Sequence, residues 1–161
     1  MVDRLLTIGV YGFTETAFFQ QLAEAQVDLF CDLRSRRGMR GKQYAFVNSA
    51  YLQEALRQRG IRYLHLKELA PSDAIREAQK IADRRQRISK QQRETLDDAF
   101  IERYQRERLA TLDLPALIAK LENAHRPCLF CVERLPSACH RSLAAKFLSS
   151  HLGVEIQHLL P

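Results

Sequence analysis

No stretch of the 161 residues approaches the roughly 18 consecutive apolar residues that a membrane-spanning helix needs. Nor is there a basic segment followed by a long apolar run and a small-residue cleavage site. Met1-Val2-Asp3-Arg4 passes directly into a strand-like run from Leu5 to Val10. Cysteine is scarce, four in all, and without a secretory pattern these read as reduced thiols of a cytoplasmic protein. Internal repeats and low-complexity tracts are missing. So is any glycine-rich nucleotide-binding fingerprint, and no cofactor is implied. Membrane, collagen-like, coiled-coil and disulfide-scaffold classes are thereby excluded. What is present is 46% hydrophobic and 27% charged, enough to build a core, over a length that fits one domain spanning residues 1–161.

Charge of one sign is in excess. Lys and Arg number 25 against 19 Asp and Glu, a formal net charge of +6. The surplus is concentrated: Arg34, Arg36, Arg37, Arg40 and Lys42 fall within nine residues that contain no acid. Unpaired cations gathered in one loop suit an anionic partner, either a small molecule or a nucleic acid. The segment from Pro71 to Arg108 is different, because its ten basic and eight acidic residues nearly cancel. It reads as a solvated, salt-bridged helical face.

Periodicity places strands at Leu5–Val10, Val27–Leu33, Ile61–Leu66, Pro127–Glu133 and Val154–His158. Between them fall a helix capped by Thr14, another entered at Asn48 or Ser49 and stopped by Gly60, and a last one from about Cys139 to His151. Residues 71–125 form a helical insertion between the third and fourth strands, with a break near Ser89. Alternation of strands and helices predicts an α/β fold with a largely parallel sheet of about five strands and helices on both faces.

In open α/β sheets, ligands bind beyond the carboxyl ends of the strands. That rule selects Tyr11, Asp32, Arg34 and Glu133, and then Cys139, His140 and Arg141 where the next helix begins. A helix N-terminus with His140 and Arg141 beside it should lower the Cys139 thiol pKa and attract anions. Cys139 is therefore the candidate nucleophile, Glu133 the acid or base, His140 a proton carrier, and Arg34 and Arg141 the anion clamps. Glu133 paired with Arg141 as a purely structural ion pair is the competing reading. Arg37, Arg40 and Tyr44 mix cations and an aromatic ring in the basic loop, a composition suited to phosphate contact with base stacking. Neither Cys131 nor Cys139 is followed by Arg six places on, which disfavours a phosphatase loop. Cys128, Cys131, Cys139 and His140 would supply enough soft ligands for zinc, yet Cys128 and Cys131 should point to opposite faces of a strand. No metal is expected.

Several segments together resemble the DUF488 family: Thr7-Ile8-Gly9, Asp32-Leu33-Arg34, Phe46-x-Asn48, Gly60-Ile61-x-Tyr63-x-His65-Leu66, and Cys131-x-Glu133-x-x-Pro136-x-x-Cys139-His140-Arg141. The last is the most specific. The resemblance implies one α/β domain with a shared polar site at Asp32, Arg34, Glu133, Cys139, His140 and Arg141. It implies no activity, since that family is named for lacking one. This chain departs from the commoner pattern in Arg36-Arg37-Gly38-Met39-Arg40-Gly41-Lys42 and in Leu69-Ala70-Pro71, so its substrate recognition is expected to differ.

Overall fold

A computed structural model describes every residue from Met1 to Pro161. Its five strands are β1 (Leu5–Ile8), β2 (Leu29–Asp32), β3 (Arg62–His65), β4 (Pro127–Phe130) and β5 (Ile156–Leu159). The helices are α1 (Glu15–Glu24), α2 (Ser49–Gln58), α3 (Asp73–Gln86), α4 (Asp98–Glu107), α5 (Leu114–Lys120) and α6 (His140–Leu152). All strand pairs are parallel, in the order β3-β2-β4-β1-β5. The α/β class, the strand count and the helical segment between β3 and β4 agree with the sequence reading.

Alternation along each strand divides the core into two layers. Leu6, Ile8, Phe30, Cys128 and Phe130 face one side, where Phe18 and Leu22 of α1 and Leu52 and Leu56 of α2 cover them. Leu5, Leu29, Cys31 and Leu129 face the other, under Ile75 of α3, Phe100 and Tyr104 of α4, Leu117 of α5 and Leu148 of α6. Both faces of the three central strands β2, β4 and β1 are buried and largely apolar, which is why these read as nearly continuous hydrophobic runs.

The strands are shorter than their hydrophobic runs. Beyond Ile8 the chain peels away, and the N–H groups of Val10 and Tyr11 both donate to the Val132 carbonyl at 3.1 Å. The paired stretch of β4 ends at Phe130, so Cys131, Val132 and Glu133 are free to turn toward other partners. The last strand begins later than expected, after Gly153 ends α6 in the left-handed region (φ 68°). The break in the helical segment is wider than one residue, running from the left-handed Arg87 to Asp97, the N-cap of α4.

Capping follows the sequence signals at most helix starts. Thr14, Ser72, Asp97 and Asp113 each accept a backbone N–H of the first turn. Asn48 occupies the N-cap position of α2 without capping it. Its Oδ1 accepts the Met39 N–H instead, and the Ser49 N–H donates to the Arg37 carbonyl. The basic loop is thus tied back onto α2, although its two glycines suggest free movement.

Phe18 lies at the centre of the first layer, its ring 5.3–6.2 Å from those of Phe13, Phe19, Phe30, Phe46 and Phe130. Truncating a fully buried aromatic removes transfer free energy and leaves a cavity. Phe18→Ala is expected to lower stability by about 3–5 kcal/mol in urea denaturation, and a loss below about 1 kcal/mol would show that this layer repacks freely.

Candidate active site

Beyond the carboxyl ends of β1, β2 and β4 lies a cavity of about 600 Å³. The sheet contributes Tyr11 after β1, Arg34 after β2, and Cys131 and Glu133 after β4, with His140 from the start of α6. The opposite wall comes from α3 and the segment that follows it, including Arg76, Gln79, Lys80, Arg84, Lys90 and Arg93. Seven of the lining residues are Lys or Arg, against two acids, Asp83 and Glu133.

Asp32 is fully buried and needs partners to stay charged. Arg34 provides them two residues on, through Nε at 2.9 Å and Nη2 at 2.7 Å, with its own backbone N–H at 3.1 Å. The Tyr63 hydroxyl donates to the second carboxylate oxygen at 2.8 Å. This fork locks the guanidinium over the Phe130 ring, 4.8 Å from its centroid. Arg34 Nη1 is left buried with no partner. A carboxylate that fixes one edge of a guanidinium and leaves the other unsatisfied makes a preorganised anion donor.

Glu133 is held from the far wall. Arg93 Nη2 donates to its Oε1 at 2.9 Å and Lys90 Nζ lies 3.4 Å away, while Oε2 is buried without a partner. Burial pushes Lys90 toward its neutral form, but the charges of Glu133, Cys131, Tyr11 and Cys139 more than offset this, so its pKa is raised. Arg93 itself bridges Asp83 at 2.7 Å and the Ala138 carbonyl. Next to it, the Leu96 N–H donates to Ser137 O and the Ser137 hydroxyl to Glu94 O, which docks the helical segment on the turn before α6.

Arg141 corrects two expectations. It is neither an anion clamp nor the ion-pair partner of the Glu133 carboxylate. Its side chain is wholly buried, with Nη1 donating to the Glu133 carbonyl and Nη2 to the Arg134 carbonyl at 3.0 Å. It therefore shapes the turn between β4 and α6 and stays out of the cavity. Gly9 is required opposite it, because a Cβ there would sit 1.8 Å from the Glu133 oxygen and 3.0 Å from Arg141 Nη1.

The sulfur chemistry also differs from the sequence reading. Cys139, 1% exposed, lies behind the wall, whereas Cys131 and His140 line the cavity. Burial would raise the Cys139 thiol pKa, yet a hydrogen bond from Cys131 and the charges of Arg141 and His140 hold it well below the usual value. The same hydrogen bond, with burial, pushes Cys131 well up. Cys128 remains in the core, raised by desolvation, as a strand residue should be. Cys128 and Cys131 stay apart, as opposite faces of a strand imply, but because β4 ends at Phe130 the Cys131 sulfur turns away from the alternation and lies within 4.8 Å of the Cys139 sulfur and a His140 ring nitrogen.

The basic loop divides. Arg34, Ser35, Arg36, Gly38 and Met39 line the cavity, but Arg37, Arg40 and Tyr44 do not. Arg37 reaches the Tyr63 hydroxyl at 3.4 Å. Tyr44 is buried, its ring against Tyr11 and its hydroxyl accepting the Gly12 N–H. It cannot stack on a base. Arg40 is exposed on the outside of the loop. The residues that sequence reasoning missed, Arg76, Lys80, Arg84, Lys90 and Arg93, all belong to the charge-balanced segment taken for a solvated face.

Replacing Gly9 with alanine forces the loops after β1 and β4 apart. Gly9→Ala is expected to cost about 1–3 kcal/mol by thermal or urea unfolding, and to detach Arg141 from the Glu133 carbonyl. A variant as stable as the parent would show that this close approach is not needed.

No helix is long and apolar enough to cross a membrane. No curated protein and no solved structure matches the chain. A family model does match, over residues 15–148, a span that holds Asp32, Arg34, the α3–α5 segment and the whole turn from Cys131 to Arg141. The polar groups anticipated from the resemblance thus lie within the matched region, and the chain belongs to the family described as domain of unknown function DUF488.

Proposed function

We propose that the protein is an enzyme acting on a small anionic molecule, a nucleotide, a sugar phosphate or another phosphate-bearing compound. The observation that carries this reading is the charge of the cavity. Its two acids are already engaged, Asp83 with Arg93 and Glu133 with Arg93 and Lys90, while the remaining cations and the free edge of Arg34 face the same space. An anion entering there loses water but gains preorganised donors. The volume, about 600 Å³, falls in the range of roughly 300–1,000 Å³ typical of small-molecule sites.

Each residue then has a part. Arg34 anchors the anion, with Arg36, Arg76 and Lys80 closing around it. Glu133, restrained through one oxygen and free at the other, is the candidate general acid or base. Tyr11, whose hydroxyl pKa is raised by burial, supplies a neutral donor at the rim. Arg37 and Arg40 lie outside the cavity, so a nucleic acid would have to use the outer surface of the loop.

Thermal-shift and calorimetric titration with inorganic phosphate, pyrophosphate and mononucleotides tests this. Ligand-dependent stabilisation at low salt is expected, and Arg36→Ala or Lys80→Ala should each weaken binding about tenfold, or 1.4 kcal/mol. Arg40→Ala should leave it unchanged. Once a turned-over compound is found, Glu133→Gln should keep binding and lower kcat by about 10²-fold or more. If none of these compounds binds, while an oligonucleotide binds in a salt-sensitive manner that Arg40→Ala weakens, the protein is a nucleic-acid-binding module instead.

A further inference from the structure

Where the cavity meets α6, the Sγ atoms of Cys131 and Cys139 and a ring nitrogen of His140 lie within 4.8 Å of one another. All three residues are at least nine-tenths buried, and His140 Nε2 has no hydrogen-bond partner. A buried ring nitrogen without a partner is costly unless something meets it. Tyr104 cannot do so, since its ring packs edge-on against the imidazole and its hydroxyl donates to the Leu69 carbonyl.

We propose that Cys131, Cys139 and His140 bind a zinc ion, with the fourth coordination position open to the cavity.

Ligand type supports zinc. Two sulfurs and an imidazole are the soft-to-borderline donors it prefers, and oxygen-seeking magnesium or calcium would find no ligand. Size fits as well. Zn–S bonds of about 2.3 Å and Zn–N bonds of about 2.0 Å put tetrahedral ligand atoms roughly 3.3–3.8 Å apart, so the present spacing needs a closure of about one ångström.

Placement decides the kind of site. Cys131 is fixed at the end of β4, where its N–H donates to the Ile8 carbonyl, and Cys139 and His140 begin α6. Cys139 lies behind, whereas Cys131 and His140 reach the cavity, so an ion among them presents its remaining position to the space that Arg34 and Glu133 also face. Three protein ligands with an open position are the pattern of a catalytic centre, a structural one being closed by four.

The cations nearby do not oppose this. Zinc bound to two thiolates and a neutral imidazole has no net charge, so the loaded centre carries no positive charge of its own beside Lys90 and Arg141. The bound ion would act as a Lewis acid toward an anionic oxygen or as a source of hydroxide. Zinc binding does not depend on the proposed substrate. It is measured without one, and anion titrations can be run without added metal, so each idea can fail alone.

The test uses the full chain, reduced and stripped of metal, titrated with Zn²⁺ against a chromogenic chelator and separately with Co²⁺. One equivalent should bind, and cobalt should give a thiolate-to-metal charge-transfer band in the near ultraviolet with the intense visible bands of a four-coordinate ion. Cys131→Ser, Cys139→Ser and His140→Gln, each checked by circular dichroism, should weaken zinc binding at least a hundredfold, about 2.8 kcal/mol or more. Cys128→Ala should bind as the parent does. The proposal is overturned if the folded parent binds no stoichiometric zinc, if Cys139→Ser binds as tightly as the parent, or if the cobalt form lacks the charge-transfer band. The cobalt spectrum of the parent decides the matter even where a variant fails to fold.

Discussion

Arg141 carries a positive charge at zero exposure and has no carboxylate beside it. Stripping water from such a group costs on the order of several kcal/mol unless its donors are met. Here the Glu133 and Arg134 carbonyls meet the two terminal nitrogens, while Nε stays buried without a partner, and those carbonyls are available only because the chain after β4 bends back around the guanidinium. The bend directs the Glu133 side chain across the cavity to Arg93, brings Cys131 against Cys139, and sets the entry of α6. It also explains a glycine at position 9, where the bent carbonyl passes too close for any side chain. One buried cation thus dictates the geometry of most of the polar groups in the cavity without touching its contents.

Much of the fold could be read in advance. The apolar runs located all five strands, and alternation with helices gave the parallel arrangement. Strand ends were less legible, because hydrophobicity reports burial while a strand needs regular pairing; Cys131 and Val132 are buried and hydrogen-bonded to β1 and the residues after it, yet lie outside the regular register. The candidate site was legible by half. Tyr11, Arg34, Glu133 and His140 follow from the rule that strand ends face the ligand. Arg93 does not, since its contacts in the site, Glu133 and Ala138, lie 40 and 45 residues away and its neighbourhood is charge-neutral overall. Arg141 was misassigned as an anion clamp because it stands where a helix begins beyond a strand end, while the Glu133 and Arg134 carbonyls hold its side chain out of the cavity.

Two sources of cations meet in the cavity and differ in kind. Arg34 comes from the sheet, where Asp32, Tyr63 and Phe130 fix it. Lys80 and Arg84 come from an exposed helix surface and pair loosely with Glu77 at 3.7 and 3.4 Å. Exposed pairs of that sort contribute little to stability, so these side chains are free to exchange partners when an anion arrives. Arg93 joins the halves, spanning Asp83, Glu133 and the Ala138 carbonyl. The sheet supplies precision and the helical segment supplies adaptability.

Strand order also governs when this molecule can form. β1 is completed by β4 and β5, with Leu6 opposite Cys128 and Leu5 opposite Ile156, so this strand has no neighbour in the sheet until the distant segment that forms β4 has been made. Meanwhile the growing chain can assemble only β2 with β3, one parallel pair bridged by α2. Non-local pairing of this sort is slow and leaves apolar strands exposed during synthesis. The polar cavity accordingly cannot form before that pairing, because its sheet wall requires the ends of β1 and β4 together.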